Sequence, residues 1–439
     1  MGQAHAPLRG RSRRATAVGV GLVLAASLAA CGGDDGSGAP ELTWYVNNAQ
    51  QVPLAQACNE QAEGAYRITT SLLPAAASGQ REQLLRRLAA GDATVDLMSL
   101  DPPFMAEFAN AEFLRPFTEE ESEEFSEGVL DGPLEQSFYE DTMFSAPFYG
   151  NTQLLWYKKS VAEEAGLDLE GQEVTWDQVI EAAEATGTTV AVQGRRNESL
   201  MVWVNALIES AGGRILAEDS QGRPAAEVDA VLDEEGGPEA ARIMSTIANS
   251  VATPGLSTAG EEESRAAFQS ENGGFMVNWP YVWSAFEAGQ EDGTLPEDFR
   301  DDVGWTRYPQ VVEGTASATP LGGIGLSIGA YTEEPEAAVE AVRCLRSPES
   351  QKQYMLTAGD PAAAAEVYDD PEIQEAFPMY EAIREGLTDA APRPISAFYG
   401  DVTGAIQQGF HPPDQLSEDG TAETTADFIE AVLSNDRML

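Results

Sequence analysis

From Leu42 onward, short β-rich apolar runs alternate with segments of helical spacing, and this alternation limits the fold more than any other feature. LTWYV (42–46) reads as a first strand, with a helix over 53–61 after it. RITTSLL (67–73) reads as a second strand. Leu84, Leu85 and Leu88 then share a helical face, and Gly91 is placed to end that helix. VDLMSL (95–100) is the third strand, and Pro102-Pro103 suits the first turn of the next helix. Such alternation predicts an α/β chain whose sheet is mostly parallel and carries helices on its faces. Sheets of this kind take ligands beyond the carboxyl ends of their strands. Asp101 lies just past the third strand, and Asn47, Asn48, Gln50 and Gln51 lie just past the first.

The habit continues downstream. TMFSAPFYG (142–150) and NTQLLWYKK (151–159) read as consecutive strands broken at Gly150, where a two-lobed chain would first cross between lobes. Thr175 and Gln178 have capping-box spacing, and Asn197 can cap the helix that ends at Gly212-Gly213. FMVNW (275–279) reads as a strand and PYVWSAFEAG as the helix after it. Trp279 therefore sits at a strand end, where a cleft belongs, whereas Trp283 and Phe286 share a helix face and read as core. VGWTRYP (303–309) and LGGIGLSIG (321–329) are further strands, and helices are expected near 335–346, 379–387, 398–408 and 424–434.

The first thirty residues belong to export rather than to the fold. Arg9, Arg11, Arg13 and Arg14 precede an apolar stretch over 15–30, which is short for a membrane span and right for a signal peptide. It ends Leu28-Ala29-Ala30-Cys31, small residues before a cysteine, which predicts that Cys31 is lipidated and becomes the mature N-terminus. The Gly, Ser and Asp residues over 31–40 read as a flexible tether. The expected location is the extracellular face of the cell membrane, held by lipid alone.

The chain carries 25 basic and 73 acidic residues, a formal charge of -48. Without residues 1–30 the balance is 21 against 73, or -52. Phosphate backbones need clustered Lys and Arg, so nucleic acid is excluded as a partner and anionic ligands are disfavoured. Cys58 and Cys344 either pair or stand as two separate thiols, and an exported chain favours pairing.

Catalytic patterns are few. Gly325-Leu326-Ser327-Ile328-Gly329 fits G-x-S-x-G, and His411 lies downstream. A nucleophile elbow needs a sharp turn straight into a helix, but here the apolar run continues through Ile328 and the next helix waits until about Pro335. Ser327 is therefore expected inside a strand. One histidine beyond residue 30 and no close cysteine pair argue against zinc, and no phosphate-binding loop is present. A glycoside hydrolase needs only two carboxylates, which leaves that class as the alternative.

At NTQLLWY, VNWPYV, GGIGLSI, EAVRCL and LTDAAPRP the chain resembles the extracellular solute-binding lipoproteins of carbohydrate ABC importers. Within that group it is most similar to the LpqY type of trehalose-binding lipoprotein, from about Leu42 to the C-terminus. The resemblance implies two α/β lobes joined by a hinge, with a sugar in the cleft, no enzymatic activity and no cofactor. It implies lobe one over 41–149 and 303–358 and lobe two over 150–302 and 359–439, which puts Cys58 and Cys344 in one lobe. The ligand implied is a neutral disaccharide, trehalose first and maltose or another α-glucoside second. The other partner is a membrane permease, and the protein acts as a monomer.

Sugar hydroxyls donate and accept, so charged and amide side chains suit them, and an aromatic ring suits the C–H face. The residues carried over have this mix. Asp101 and Asn151 match the family's cleft aspartate and asparagine, and Glu261, eighteen positions before Trp279, matches its glutamate. Trp279 is the sugar platform. Gly322 and Gly323 let the backbone approach the sugar, and Arg393 forks onto hydroxyls. Asn48 and Gln51 complete the set, although their segment, NNAQQ, carries only amides where the family would place an acid nearby.

Overall fold

The computed structural model describes residues 38–439, so the signal peptide over 1–30, the Cys31 lipidation site and most of the tether lie outside the described residues. Ala39–Leu439 forms one compact unit. The described residues contain eleven strands: β1 (Glu41–Val46), β2 (Arg67–Leu72), β3 (Leu97–Leu100), β4 (Phe138–Tyr139), β5 (Thr142–Met143), β6 (Ala146–Thr152), β7 (Leu154–Lys158), β8 (Thr189–Ala191), β9 (Gly273–Asn278), β10 (Val303–Thr306) and β11 (Leu321–Ile328). They make two main sheets flanked by helices, one for each lobe. The first has the order β2-β1-β3-β11-β6, the second β10-β7-β9-β8, and β4 pairs with β5 in a small hairpin.

The first sheet follows the βαβ reading at its start. Leu42, Trp44 and Val46 of β1 are fully buried, and β1 pairs in parallel with β2 and β3. The remaining pairings correct the expectation of a mostly parallel sheet. β11 runs antiparallel to both β3 and β6. In the second sheet β7 is antiparallel to β9 and β10, and only the β8–β9 pair is parallel. β6 leads into β7, in the other sheet, through the single residue Gln153, with no helix between them.

β6 stays paired with β11 through Thr152, and the chain passes from the first sheet to the second at Gln153. β10 pairs with β7 in the second sheet, and the chain returns to the first sheet between Thr306 and Leu321. Leu387, in the helix Tyr380–Thr388, packs beside Gly132 and Gly150, so that helix backs the first sheet although the expected division assigns it to lobe two.

Local signals hold where they are chemical. Thr175 and Gln178 form the capping box, and Asn197 Oδ1 accepts from Ser199 N–H at the head of the helix Glu198–Ser210. The helix Pro348–Ala358 lacks a clear apolar stripe and goes unread in the sequence. Cys58 and Cys344 form a disulfide between the helices Val52–Gln61 and Pro335–Leu345. Ser327 is buried inside β11, and His411 bonds the Ser257 carbonyl, so the two make no nucleophile and base. No described helix is long and apolar enough to cross a membrane. Among the described residues, no group of His, Cys, Asp and Glu side chains could hold a metal ion.

Candidate functional site

Three strand ends meet where the two sheets adjoin. Antiparallel register sets Asn151 of β6 opposite Gly322 of β11. Leu154 of β7 pairs with Asn278 of β9, which leaves Trp279 immediately beyond the strand. A cavity of about 340 Å³ opens there, within the usual size of small-ligand sites. Asp101, Asn151, Glu261, Trp279, Gly322, Gly323 and Arg393 all line it. Seven residues spread over nearly three hundred positions thus share one cavity.

Asn278 organises one wall. Its buried Oδ1 accepts from Trp279 N–H at 2.9 Å, and its Nδ2 donates to the Glu261 carbonyl at 2.9 Å. One side chain therefore sets both the platform and the acid, and its place at a strand end just before Trp279 is the signal that could have revealed it. Three adjacent glutamates open the helix Glu261–Phe268, and their partners tell them apart. Glu263 caps the helix through Gly260 N–H and pairs with Arg195, and Glu262 takes bonds from Arg265 and the Tyr281 hydroxyl. Glu261 alone of the three lines the cavity. Trp279 is half-buried, while Trp283 stacks on Trp156 and Phe286 is fully buried.

The two glycines answer to the fold as well as to any ligand. A Cβ on Gly322 would stand 3.0 Å from the Trp279 ring, so glycine lets the indole lie against β11. Gly323 has φ +123°, and a Cβ there would meet the Tyr149 carbonyl at 2.2 Å.

The opposite wall is an ion bridge. Arg393 donates to Asp101 Oδ1 at 2.8 Å and to Glu198 Oε1 at 2.6 Å, with only 5% of its side chain exposed. Glu198 also accepts from the Tyr399 hydroxyl and from Thr403 Oγ1. Asp101 follows β3 of the first sheet, whereas Glu198 heads a helix of the second lobe, so the bridge ties the lobes together. The Phe104 and Tyr399 rings reinforce it edge-to-face at 5.2 Å. One cation serves two part-buried carboxylates. Burial pushes the Asp101 carboxyl up, Arg393 pulls against it and Glu198 adds to it. Burial works against the Arg393 charge, but Asp101, Tyr399 and Glu198 together raise its pKa, so it stays protonated. Arg393 also borders a second cavity of about 350 Å³. There burial pushes Glu209 up to about 7 against the pull of Arg214.

Asn48 and Gln51 do not line the cavity. Gln51 is fully buried, where its Oε1 accepts from Ser99 Oγ and Asn47 N–H. Asn48 Oδ1 caps a short 3-10 turn, and its Nδ2 donates to the Tyr354 hydroxyl. The turn aims Asn47 at the cavity instead. Asn47, Tyr149, Asn197, Glu198 and Ser199 line it and were not in the expected set. No spacing in the sequence marks Tyr149 or Glu198 as neighbours of Asn151 and Arg393.

The family model described as bacterial extracellular solute-binding protein matches residues 54–352. A probable ABC transporter-binding protein of Deinococcus radiodurans is 27% identical over 282 residues, which are 61% of this chain and 63% of that relative's own length. A maltose-bound MalE3 of T. maritima superposes with a TM-score of 0.76 at 26% identity, covering 91% of this chain and 100% of that one. The GacH receptor of Streptomyces glaucescens, at 19% identity, shares the fold with a TM-score of 0.73, again over 91% of this chain and 100% of that one.

Proposed function

We propose, from the premise that the chain belongs to the bacterial extracellular solute-binding proteins, that it captures a neutral disaccharide for an ABC importer. Proteins of this family bind substrates rather than transform them, which sets the hydrolase alternative aside. The observation that carries the reading is the wall of Trp279, Glu261 and Asn151: a half-buried indole beside a carboxylate and an amide on one cavity. An indole covers a sugar's C–H face, and the polar pair serves its hydroxyls. The only guanidinium on the cavity is held by two carboxylates, so an anionic ligand would find no free cation there.

Trehalose is the first candidate, on the residues shared with the trehalose-binding type. Maltose is the second, favoured by the maltose-bound relative from T. maritima. Capture proceeds by hinge closure about the crossings at Gln153 and between Thr306 and Leu321. Lobe one then comprises the strands of the first sheet with their helices, and lobe two those of the second. The lipid on Cys31 keeps the monomer at the extracellular face of the cell membrane, near its permease.

The test is a panel of trehalose, maltose, sucrose and glucose followed by thermal shift and calorimetry. A bound sugar raises apparent stability by about 2.7 kcal/mol at a hundredfold excess over Kd. A shift with trehalose above that with maltose supports the first candidate, and the reverse order selects the second. No shift with any of the four contradicts disaccharide capture, and sustained release of glucose from an α-glucoside contradicts a binding role.

A further inference from the structure

β9 ends at Asn278, one residue before Trp279, and part of what holds that end lies at the crossing between lobes. β8 pairs with β9 as far as Ala191 and Met276. Two residues on, the side chain of Gln193 takes over where that backbone ladder stops, and its Nε2 donates to the Val277 carbonyl at 2.7 Å. Its Oε1 accepts from Nε2 of Gln153 at 3.3 Å, and Gln153 is the residue between β6 and β7. Each of the two glutamines is 1% exposed, and neither lines the cavity. Beside Gln193, the Val192 carbonyl accepts from Ser264 Oγ of the helix Glu261–Phe268 at 2.8 Å. The segment after β8 therefore supports both Trp279, by way of Val277, and Glu261, by way of Ser264.

The direction of this chain is set at its β9 end. A carbonyl can only accept, so Val277 meets the nitrogen of Gln193 and leaves the Gln193 oxygen for Gln153. Gln153 must then present its own nitrogen. Its Oε1 is left buried with no partner among the described residues, which is unfavourable for an acceptor. Gln153 is thus oriented to serve Gln193 rather than to satisfy itself.

We propose that Gln153 and Gln193 are positioning residues that fix the Trp279 platform from the lobe crossing. The inference rests on the cavity being the sugar site. Gln153 orients Gln193, and Gln193 holds the Val277 carbonyl. Asn278, the next residue, bonds Trp279 N–H and the Glu261 carbonyl. Neither glutamine touches the ligand, so each acts on affinity through Trp279 and Glu261. The two act in series, so removing both weakens binding no more than removing Gln193 alone.

The test is a double-variant cycle with Gln153→Met and Gln193→Met, which keep the side-chain length without an amide, using the sugar that binds the wild type best. Calorimetry should show binding about fivefold weaker for Gln153→Met, about tenfold weaker for Gln193→Met, and the same tenfold for the two together. Amides with a merely structural role would lower the melting temperature and leave affinity within twofold. That result overturns the proposal, as does a loss of about fiftyfold in the double variant, the product expected of independent sites. If a variant carrying Gln193→Met does not fold, the indole N–H NMR signal of Trp279 decides, read without sugar in Gln153→Met and in Thr152→Val. Thr152 Oγ1 has no partner among the described residues, so its loss is an equally close change that breaks no bond. A signal displaced by Gln153→Met and not by Thr152→Val supports the positioning role, and a signal unmoved, or displaced alike in both, overturns it. If no sugar of the panel binds the wild type, the functional reading fails separately, and the same NMR comparison decides the positioning role.

Discussion

The two walls of the cavity use similar residues in opposite ways. On the bridge wall, Asp101, Arg393 and Glu198 bind one another, with Tyr399 and Thr403 adding bonds to Glu198. On the tryptophan wall, Asn278 spends its bonds on backbone groups, so Trp279 and Glu261 are held in place with their own side chains on the cavity. The first wall joins the lobes through bonds already made, and under the proposed function the second is the surface left for a ligand. Residue type alone does not separate them; what the side chain already touches does.

The comparison breaks most visibly at the bridge. Arg393→Met keeps the bulk but strands two part-buried carboxylates, and should cost about 3 kcal/mol of unfolding free energy in a urea titration. A loss below 1 kcal/mol would mean that the bridge is no tie. The disulfide is a comparable restraint confined to the first lobe. Joining residues 286 positions apart, it should contribute about 2–4 kcal/mol, read as the stability lost when Cys58 and Cys344 are both replaced by Ser. Sugar affinity of that variant should stay within twofold of the wild type. On the tryptophan wall the effects should reverse, with affinity changing and stability holding. Glu261→Gln exchanges a charged acceptor for a neutral one, and should weaken binding about tenfold by calorimetry with an unchanged melting temperature. Gly322→Ala is the mildest change. Its Cβ would press on the Trp279 ring at 3.0 Å, tilting the platform, and a threefold loss of affinity is expected.

Much of this was legible in the sequence because it rests on local rules. Strand periodicity placed β1, β2, β3, β9 and β11, and the strand-end rule pointed at Asp101 and Trp279. The choice among three glutamates was also present in principle. Gly260 and Glu263 have capping spacing, which commits Glu263 to the helix end. Pairing partners were not legible, because they are chosen across the fold. Gln153 turns β6 into β7 within one residue, and nothing local says that the two strands enter different sheets. Arg393 finds its acids 292 and 195 positions away. Gln51 is a different case: an amide in a turn has the same local signature whether it faces a cavity or, as here, the interior.

The central claim is that the tryptophan wall binds the ligand while the bridge wall holds the lobes. It is tested most directly by calorimetric titration of Trp279→Ala with the sugar that most stabilises the wild type. Truncating a half-buried anchor should remove about 2 kcal/mol or more of binding, roughly a thirtyfold loss, while the unfolding curve without sugar stays in place. Affinity within twofold of the wild type would contradict the account.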